Sequence, residues 1–375
     1  MAVGAYYLTG WGLYSGQKSS DWNITSPYLP ELGSYNSADP ATTNKHIEWA
    51  LNHGISFFVI PFTHAGYGWE TALEDGFLRS ESISKIKFAI MTNYEPYWSS
   101  PTGFPQSNDE RMSWMLSDIS YIADHYATHP SYMRVGDRPV LFVYHASTSL
   151  SQSLGGVEKL SQFIESVREK GRERGVDFYL IGDVMYWLPL ETDESYAKLF
   201  DAVSAYTLPD AGVGWSTENG RLVSVGPYDV MVQSYVEMTR HWSELASRLG
   251  IGFIPPVTPG FNNTDTYDLG IDNYLVVRSG SSPEKFAQMV DGVASYVDTH
   301  LEMMIVEAWN EYHEGSVVEP TKQFGFAYLD VFADRSNTVP APEYAAASQS
   351  LMLLVGICGV PVFSRKRPSP ADMPP

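Results

Sequence analysis

The 375-residue chain predicts a single α/β domain, a (β/α)8 TIM barrel, followed by an apolar C-terminal tail. Three observations predict it. Short runs rich in β-branched and aromatic residues recur eight times, amphipathic stretches separate them, and polar or aromatic residues gather just past their C-terminal ends. The strand-like runs are 3–8, 56–62, 86–92, 139–145, 178–184, 202–208, 253–258 and 302–309. Helical patterns lie at about 40–53, 108–127, 156–175, 194–200, 227–249 and 283–299.

Local signals support each element. Val3-Gly4-Ala5-Tyr6-Tyr7-Leu8 reads as the opening strand, with no basic start or apolar leader before it. Asp39-Pro40 supplies an N-cap and a first-turn proline for the first helix, while Gly54 and Gly250 close helices in the left-handed conformation. Phe324 to Val331 reads as the eighth helix. The barrel is expected over 1–335, and 336–375 as linker and tail. Ala345 to Phe363 is largely apolar and is followed by Arg365-Lys366-Arg367. It has two readings: a membrane anchor with its basic end in the cytoplasm, or, because Ser348, Gln349, Ser350 and Pro361 interrupt it, a helix packed under the barrel. The expected location is the cell surface in the first case and the cytoplasm in the second.

Composition excludes several functions. A formal net charge of −20 argues against nucleic acid or an anionic membrane surface as partner. Cys358 is the only cysteine, so no disulfide within the chain and no cysteine-based zinc site can form. Scattered histidines and the lack of phosphate-binding glycine loops leave no cofactor or metal to expect. An aromatic content of 14% suits a carbohydrate cleft and suits a large barrel core equally well.

The segment richest in chemistry is Trp309-Asn310-Glu311-Tyr312-His313-Glu314-Gly315, directly after Met303-Met304-Ile305-Val306. Two carboxyls that leave one strand together can share acid and base work on a sugar, since their surroundings can separate their pKa values. Glu311 and Glu314 are therefore the candidate catalytic residues. Alternation along an extended strand would put Ile305, Glu307, Trp309 and Glu311 on one face. On that reading Glu311 stands at the barrel mouth with Trp309 below it, and Glu314 turns back from the loop. Asn310 and His313 are natural hydrogen-bond partners for the pair. Candidate substrate-binding residues at the other strand ends are Tyr6, His64, Asn93, Glu95, Tyr144 and Tyr206. Glu307 places a charge inside the barrel, which needs a partner or a role in the site.

This segment resembles the Trp-Asn-Glu-Trp-His-Glu-Gly signature of glycoside hydrolase family 99, the endo-α-mannosidases, and of the related WbsX-like proteins. Similar stretches are Leu32 to Tyr35 with Asp39-Pro40, His46 to Ala50, Gly54 to Phe58, Pro256 to Thr264, Glu319-Pro320 and Phe324 to Leu329. Glu95-Pro96-Tyr97 resembles a motif after strand three, which adds Tyr97 to the candidate substrate-binding residues. The chain departs from the signature at Tyr312, where relatives carry Trp, and at Glu307, where they carry small neutral residues. The resemblance implies a retaining mechanism on α-mannosides in which the sugar's own 2-hydroxyl attacks to give a 1,2-anhydro sugar. It implies that Glu311 is the base for that hydroxyl and that Glu314 is the general acid and later the base for water. The partner expected is thus an oligosaccharide or polysaccharide. The alternative is a glycan-binding or polysaccharide-assembly protein on the same barrel that does not hydrolyse.

Overall fold

A computed structural model describes residues 1–12, 22, 26–66, 68–94, 105 and 107–336. The tail and the candidates Glu95 and Tyr97 lie outside the described residues. Among the described residues no helix is long and apolar enough to cross a membrane.

The fold is mixed α/β, built on a curled parallel sheet of TIM-barrel-like form. Nine strands form its path in chain order: β1 (Ala2–Tyr6), β2 (Ile55–Phe62), β3 (Lys87–Thr92), β4 (Arg138–Val143), β5 (Tyr179–Asp183), β6 (Ala202–Ser204), β7 (Gly252–Phe253), β8 (Pro256–Val257) and β9 (Met303–Val306). β7 pairs with β6 at one end, and β8 pairs with β9 at the other. Only Ile254 and Pro255 separate those ends in sequence. Hydrogen bonds from Ile254 N–H to Val203 and from Ile305 N–H to Pro255 carry the pairing across the gap.

Side chains alternate as a parallel sheet with two buried faces requires. Phe57, Val59, Met91, Phe142, Ile181 and Ile305 fill the interior, whereas Phe58, Ile60, Phe62 and Val306 pack outward. The outer layer meets helices α1 (Pro40–Asn52), α2 (Asn108–His125), α3 (Val157–Glu173), α4 (Tyr228–Leu249), α5 (Pro283–Ala294) and α6 (Ala327–Ser336). The Asp39 side chain accepts from Ala41 N–H to cap α1, and Gly250 closes α4 at φ +70°. Gly4 has to be glycine because the Phe57 ring occupies the space that a Cβ would need. Two helices start elsewhere than the periodicity predicts: the one expected at 194–200 runs Glu191–Ala197, and the last begins at Ala327.

The two rims of the sheet differ in charge pairing. At the N-terminal ends Asp201 accepts from Arg138 at 2.7 Å and from Arg168 at 3.0 Å; burial works to raise its carboxyl, and Arg138, the Leu180 N–H and Arg168 together outweigh it and hold the carboxyl low. The C-terminal rim instead gathers carboxyls, phenols and imidazoles. Beside it lies a small sheet in which Arg221–Pro227 pairs with Tyr274–Ser279 and Ser216–Glu218.

Candidate active site

Beyond β9 the chain does not continue as the extended strand that alternation predicts. Glu307 and Ala308 are joined by a cis peptide bond. Both Ile305 and Ala308 belong to the interior cluster, and Trp309 points into the outer layer. There Trp309 is fully buried and packs edge-on against Phe58 at 5.3 Å. The structure therefore does not bring Trp309 beneath Glu311.

A hairpin follows, Asn310–Glu311 paired with Ser316–Val317, in which Glu311 stands opposite Ser316. Glu314 sits in its turn, and Gly315 at φ +61° closes it. A Cβ on Gly315 would come within 2.9 Å of Pro27. The turn is held from outside, because Asn262 N–H donates to the Glu314 carbonyl at 2.6 Å. Two glutamates three residues apart are thus set on one hairpin.

Their electrostatics converge on Tyr206, which lies beyond β6 and is raised well above the ordinary phenol range by burial and by Glu311, Glu307 and Glu314. The Glu314 carboxyl is also pushed well up, first by burial, then by Glu311, Glu307 and Asp272; a hydrogen bond from Tyr274 opposes this only in part. Its Oε2 is buried without a hydrogen-bond partner. The charges that raise it are all carboxylates, so Glu314 keeps its proton where an ordinary glutamate has lost it.

Aromatic rings build the floor. Tyr6 meets Tyr206 edge-on at 4.7 Å, and Tyr144 meets Tyr206 at 5.5 Å and stacks on His145 at 3.8 Å. Tyr6 itself is fully buried, its hydroxyl donating to the Ala205 carbonyl at 3.1 Å, so it supports Tyr206 from below. Asp183 braces the group from the end of β5: it accepts the N–H of His145 at 3.0 Å and of Tyr206 at 3.2 Å. Burial raises the Asp183 carboxyl despite these bonds and the nearby His145.

His64 and Asn93 stand just past the ends of the neighbouring strands β2 and β3, and the Asn93 N–H donates to the Phe62 carbonyl at 2.8 Å. His64 stacks on Trp114 at 4.3 Å, and its Nδ1 lies 2.8 Å from Asp118 Oδ1. His313 packs against Trp11 at 4.7 Å. Asn310 is fully buried and spent on the backbone: Oδ1 accepts from Leu8 N–H at 2.8 Å, and Nδ2 donates to the Leu8 carbonyl and the Tyr35 hydroxyl at 3.0 Å each. It ties the hairpin to β1 rather than facing the cleft.

Sequence reasoning passed over Asp118, Asp272 and Tyr274 and left Asp183, one of the polar strand ends, out of the candidate list. Asp118 had a signal, an acid among the apolar positions Met115, Ile119 and Ile122 of α2. Asp183 had one too, as a polar strand end. Asp272 and Tyr274 reach the site from the side sheet, a contact no local pattern announces. Among the described residues no three His, Cys, Asp or Glu side chains form a group able to hold a metal ion.

A curled parallel sheet with carboxyls and rings collected at its C-terminal rim is the arrangement of TIM-barrel-like glycoside hydrolases. Residues 23–332 match the family described as glycosyltransferase WbsX, and the chain belongs to that family. It is 23% identical over 328 residues to the glycoprotein endo-alpha-1,2-mannosidase of Mus musculus, covering 84% of this chain and 62% of that protein. It is 26% identical over 329 residues to the uncharacterized protein WxcX of Xanthomonas campestris, covering 85% of this chain and 44% of WxcX. The chain therefore spans less than two thirds of the length of either relative. Among solved structures, the family 99 endo-alpha-mannosidase of Bacteroides thetaiotaomicron superposes with a TM-score of 0.62 at 18% identity, covering 89% and 95% of the two chains. A glycoside hydrolase-like protein superposes with a TM-score of 0.63 at 20% identity, covering 89% and 93%. At these identities the superpositions establish the fold.

Proposed function

We propose that this protein is a retaining glycoside hydrolase that cuts α-linked mannosides or related glycans within the chain, through a 1,2-anhydro sugar. The observation that carries the reading is the seating of Glu311 and Glu314 on one hairpin over Tyr206, with burial and the neighbouring carboxylates keeping the proton on Glu314. On this reading 252–257 count as one interrupted strand of a (β/α)8 barrel, and the catalytic unit is taken to run to residue 335.

In the first step Glu311 takes the proton of the sugar's 2-hydroxyl, and the oxygen attacks the anomeric carbon. The glycosidic bond breaks as Glu314 gives its proton to the leaving oxygen. In the second step the Glu314 carboxylate takes a proton from water, and that oxygen opens the three-membered ring at the anomeric carbon. Glu311 returns its proton to the 2-oxygen. Two displacements on one carbon leave the configuration retained. Tyr206 and Tyr144 offer the apolar faces on which the ring can rest, and His64, Asn93 and His313 offer polar groups around it. The mouse and Bacteroides endo-α-mannosidases support the substrate class.

A panel of defined α-mannosides and other α-glycans tests this, with Glu311→Gln and Glu314→Gln as controls. Hydrolysis that disappears in folded Glu314→Gln, with an α-configured first product by NMR, is the expected result; full activity in that variant rejects the reading. The WbsX description as a glycosyltransferase favours a second reading, a polysaccharide-assembly or glycan-binding protein. That protein would bind an oligosaccharide of the same panel and release no reducing sugar.

A further inference from the structure

Glu307 is a buried titratable group that the proposed chemistry leaves unused. It is 1% exposed and lies inside the barrel just past β9. Its Oε2 is 3.1 Å from Ser316 Oγ, and the Thr258 and Thr207 hydroxyls stand near the carboxyl. Ser316 Oγ is also 2.8 Å from Glu307's own carbonyl and 2.9 Å from Thr258 Oγ1, which is 3.1 Å from the Gly260 carbonyl.

Each hydroxyl owns one proton. When Ser316 donates along its shortest contact, to the Glu307 carbonyl, and Thr258 donates to the Gly260 carbonyl, the contact to Oε2 has no hydrogen left. A protonated Glu307 supplies it. The remaining oxygen, Oε1, is buried without a close hydrogen-bond partner, which an acid's carbonyl tolerates far better than a carboxylate does, and the Thr258, Ser316 and Thr207 hydroxyls offset the burial of the carboxyl only in part. The titratable groups that face Glu307 are Tyr6 from β1, Tyr206 beyond β6, Tyr228 and Tyr235 from α4, and Glu314 from the hairpin. Each is a phenol or a carboxyl. Burial accordingly pushes the Glu307 carboxyl up to about 8. Ser316, in turn, is the cross-strand partner of Glu311.

We propose that Glu307 is a positioning residue for the Glu311 and Glu314 pair: a protonated carboxyl under the hairpin that anchors Ser316 opposite Glu311 and withholds one more negative charge from beneath Glu314. The catalytic consequence rests on the glycosidase reading, whereas the proton itself can be observed without turnover.

The experiment is a pH titration of the full chain with [δ-13C]glutamate by NMR, for the natural protein, Glu307→Gln and Glu314→Gln. In the natural protein and in Glu314→Gln, one carboxyl is expected to titrate near pH 8, and its signal is expected to vanish in Glu307→Gln. Glu314, which the charge on ionised Glu307 holds up further, is expected to titrate at lower pH in Glu307→Gln, because the charge that Glu307 gains near pH 8 is then absent. A Glu307 signal in the ordinary carboxylate range, or a Glu314 titration identical with and without Glu307, overturns the proposal. Should Glu307→Gln not fold, the other two titrations still decide whether the proton is there. With a hydrolysed substrate, the alkaline limb of kcat/KM should move to lower pH in Glu307→Gln; a uniform loss at every pH overturns the positioning role. A panel in which nothing is hydrolysed rejects the glycosidase reading alone, and the titration stands independently of it.

Discussion

His64 Nδ1 lies 2.8 Å from Asp118 Oδ1, so a residue at the mouth of β2 is oriented by an acid buried in α2. The Trp114 ring stacked on the imidazole at 12° fixes its plane. With one ring nitrogen held by the carboxylate, the tautomer is set. Asp118→Asn removes that preference while keeping volume. Binding should weaken about tenfold, the worth of one well-made hydrogen bond. KM measured on the hydrolysed glycan should carry that change, with kcat within about twofold; an unchanged KM would place His64 outside substrate recognition.

Asn310 works through the backbone. Asn310→Ala leaves the Leu8 N–H and carbonyl and the Tyr35 hydroxyl without their partner in a fully buried place. Buried polar groups left unmade cost about 1–3 kcal/mol each, so a loss of about 3 kcal/mol is expected from urea unfolding. Asn310→Asp keeps the acceptor for Leu8 N–H but buries a carboxylate against the Leu8 carbonyl, beside a Tyr35 hydroxyl already given to Glu319, so at neutral pH it should lose at least as much as Asn310→Ala.

Much of the barrel was legible because its signals are local. The β2 run alternates Phe57 and Val59 inward against Phe58 and Ile60 outward, and the caps at Asp39 and Gly250 mark helix ends through backbone needs that few residues meet. The turn that carries Glu311 and Glu314 was legible as well, since Gly315 at φ +61° closes a hairpin between them and Ser316. What lies beyond local pattern is phase and partnership. Alternation carried past Val306 assigns Trp309 to the cleft, and the slip at Glu307 and Ala308 reverses that assignment. The hydroxyls that receive Glu307 come from residues 207, 258 and 316, three segments that only the curled sheet brings together. Asp118 meets His64, and Asp272 and Tyr274 come near Glu314, for the same reason.

The outward turn of Trp309 has its own test. Its ring packs with Phe58 and His46 between sheet and helix, so Trp309→Ala should cost about 3–5 kcal/mol of stability, as large-to-small core changes do. Trp309→Phe should fold with a smaller loss and leave KM within about twofold. A rise in KM without loss of stability would show that the indole contacts sugar instead.

Stability should depend on pH through the buried carboxyls. Glu307 is held up to about 8 in the fold, whereas the unfolded chain loses that proton near 4.5. Between those values the folded state binds more protons than the unfolded one, so this group's contribution falls as pH rises. It is fully present below pH 4.5, declines by about 1.4 kcal/mol per pH unit, and is exhausted once the folded group has ionised near 8. Glu314 is raised for the same causes and acts in the same direction. Glu307→Gln and Glu314→Gln should therefore gain stability over the natural protein as pH climbs from 5 to 8, by differences that shrink toward zero near pH 4.5. In Glu314→Gln the gain should accompany lost hydrolysis, the usual exchange at a site built from mutually unfavourable charges. Denaturant unfolding of the three proteins at several pH values reads the differences directly. A difference that stays constant across that range would mean that both carboxyls are already ionised in the fold, and would remove the proton that the proposed acid step needs.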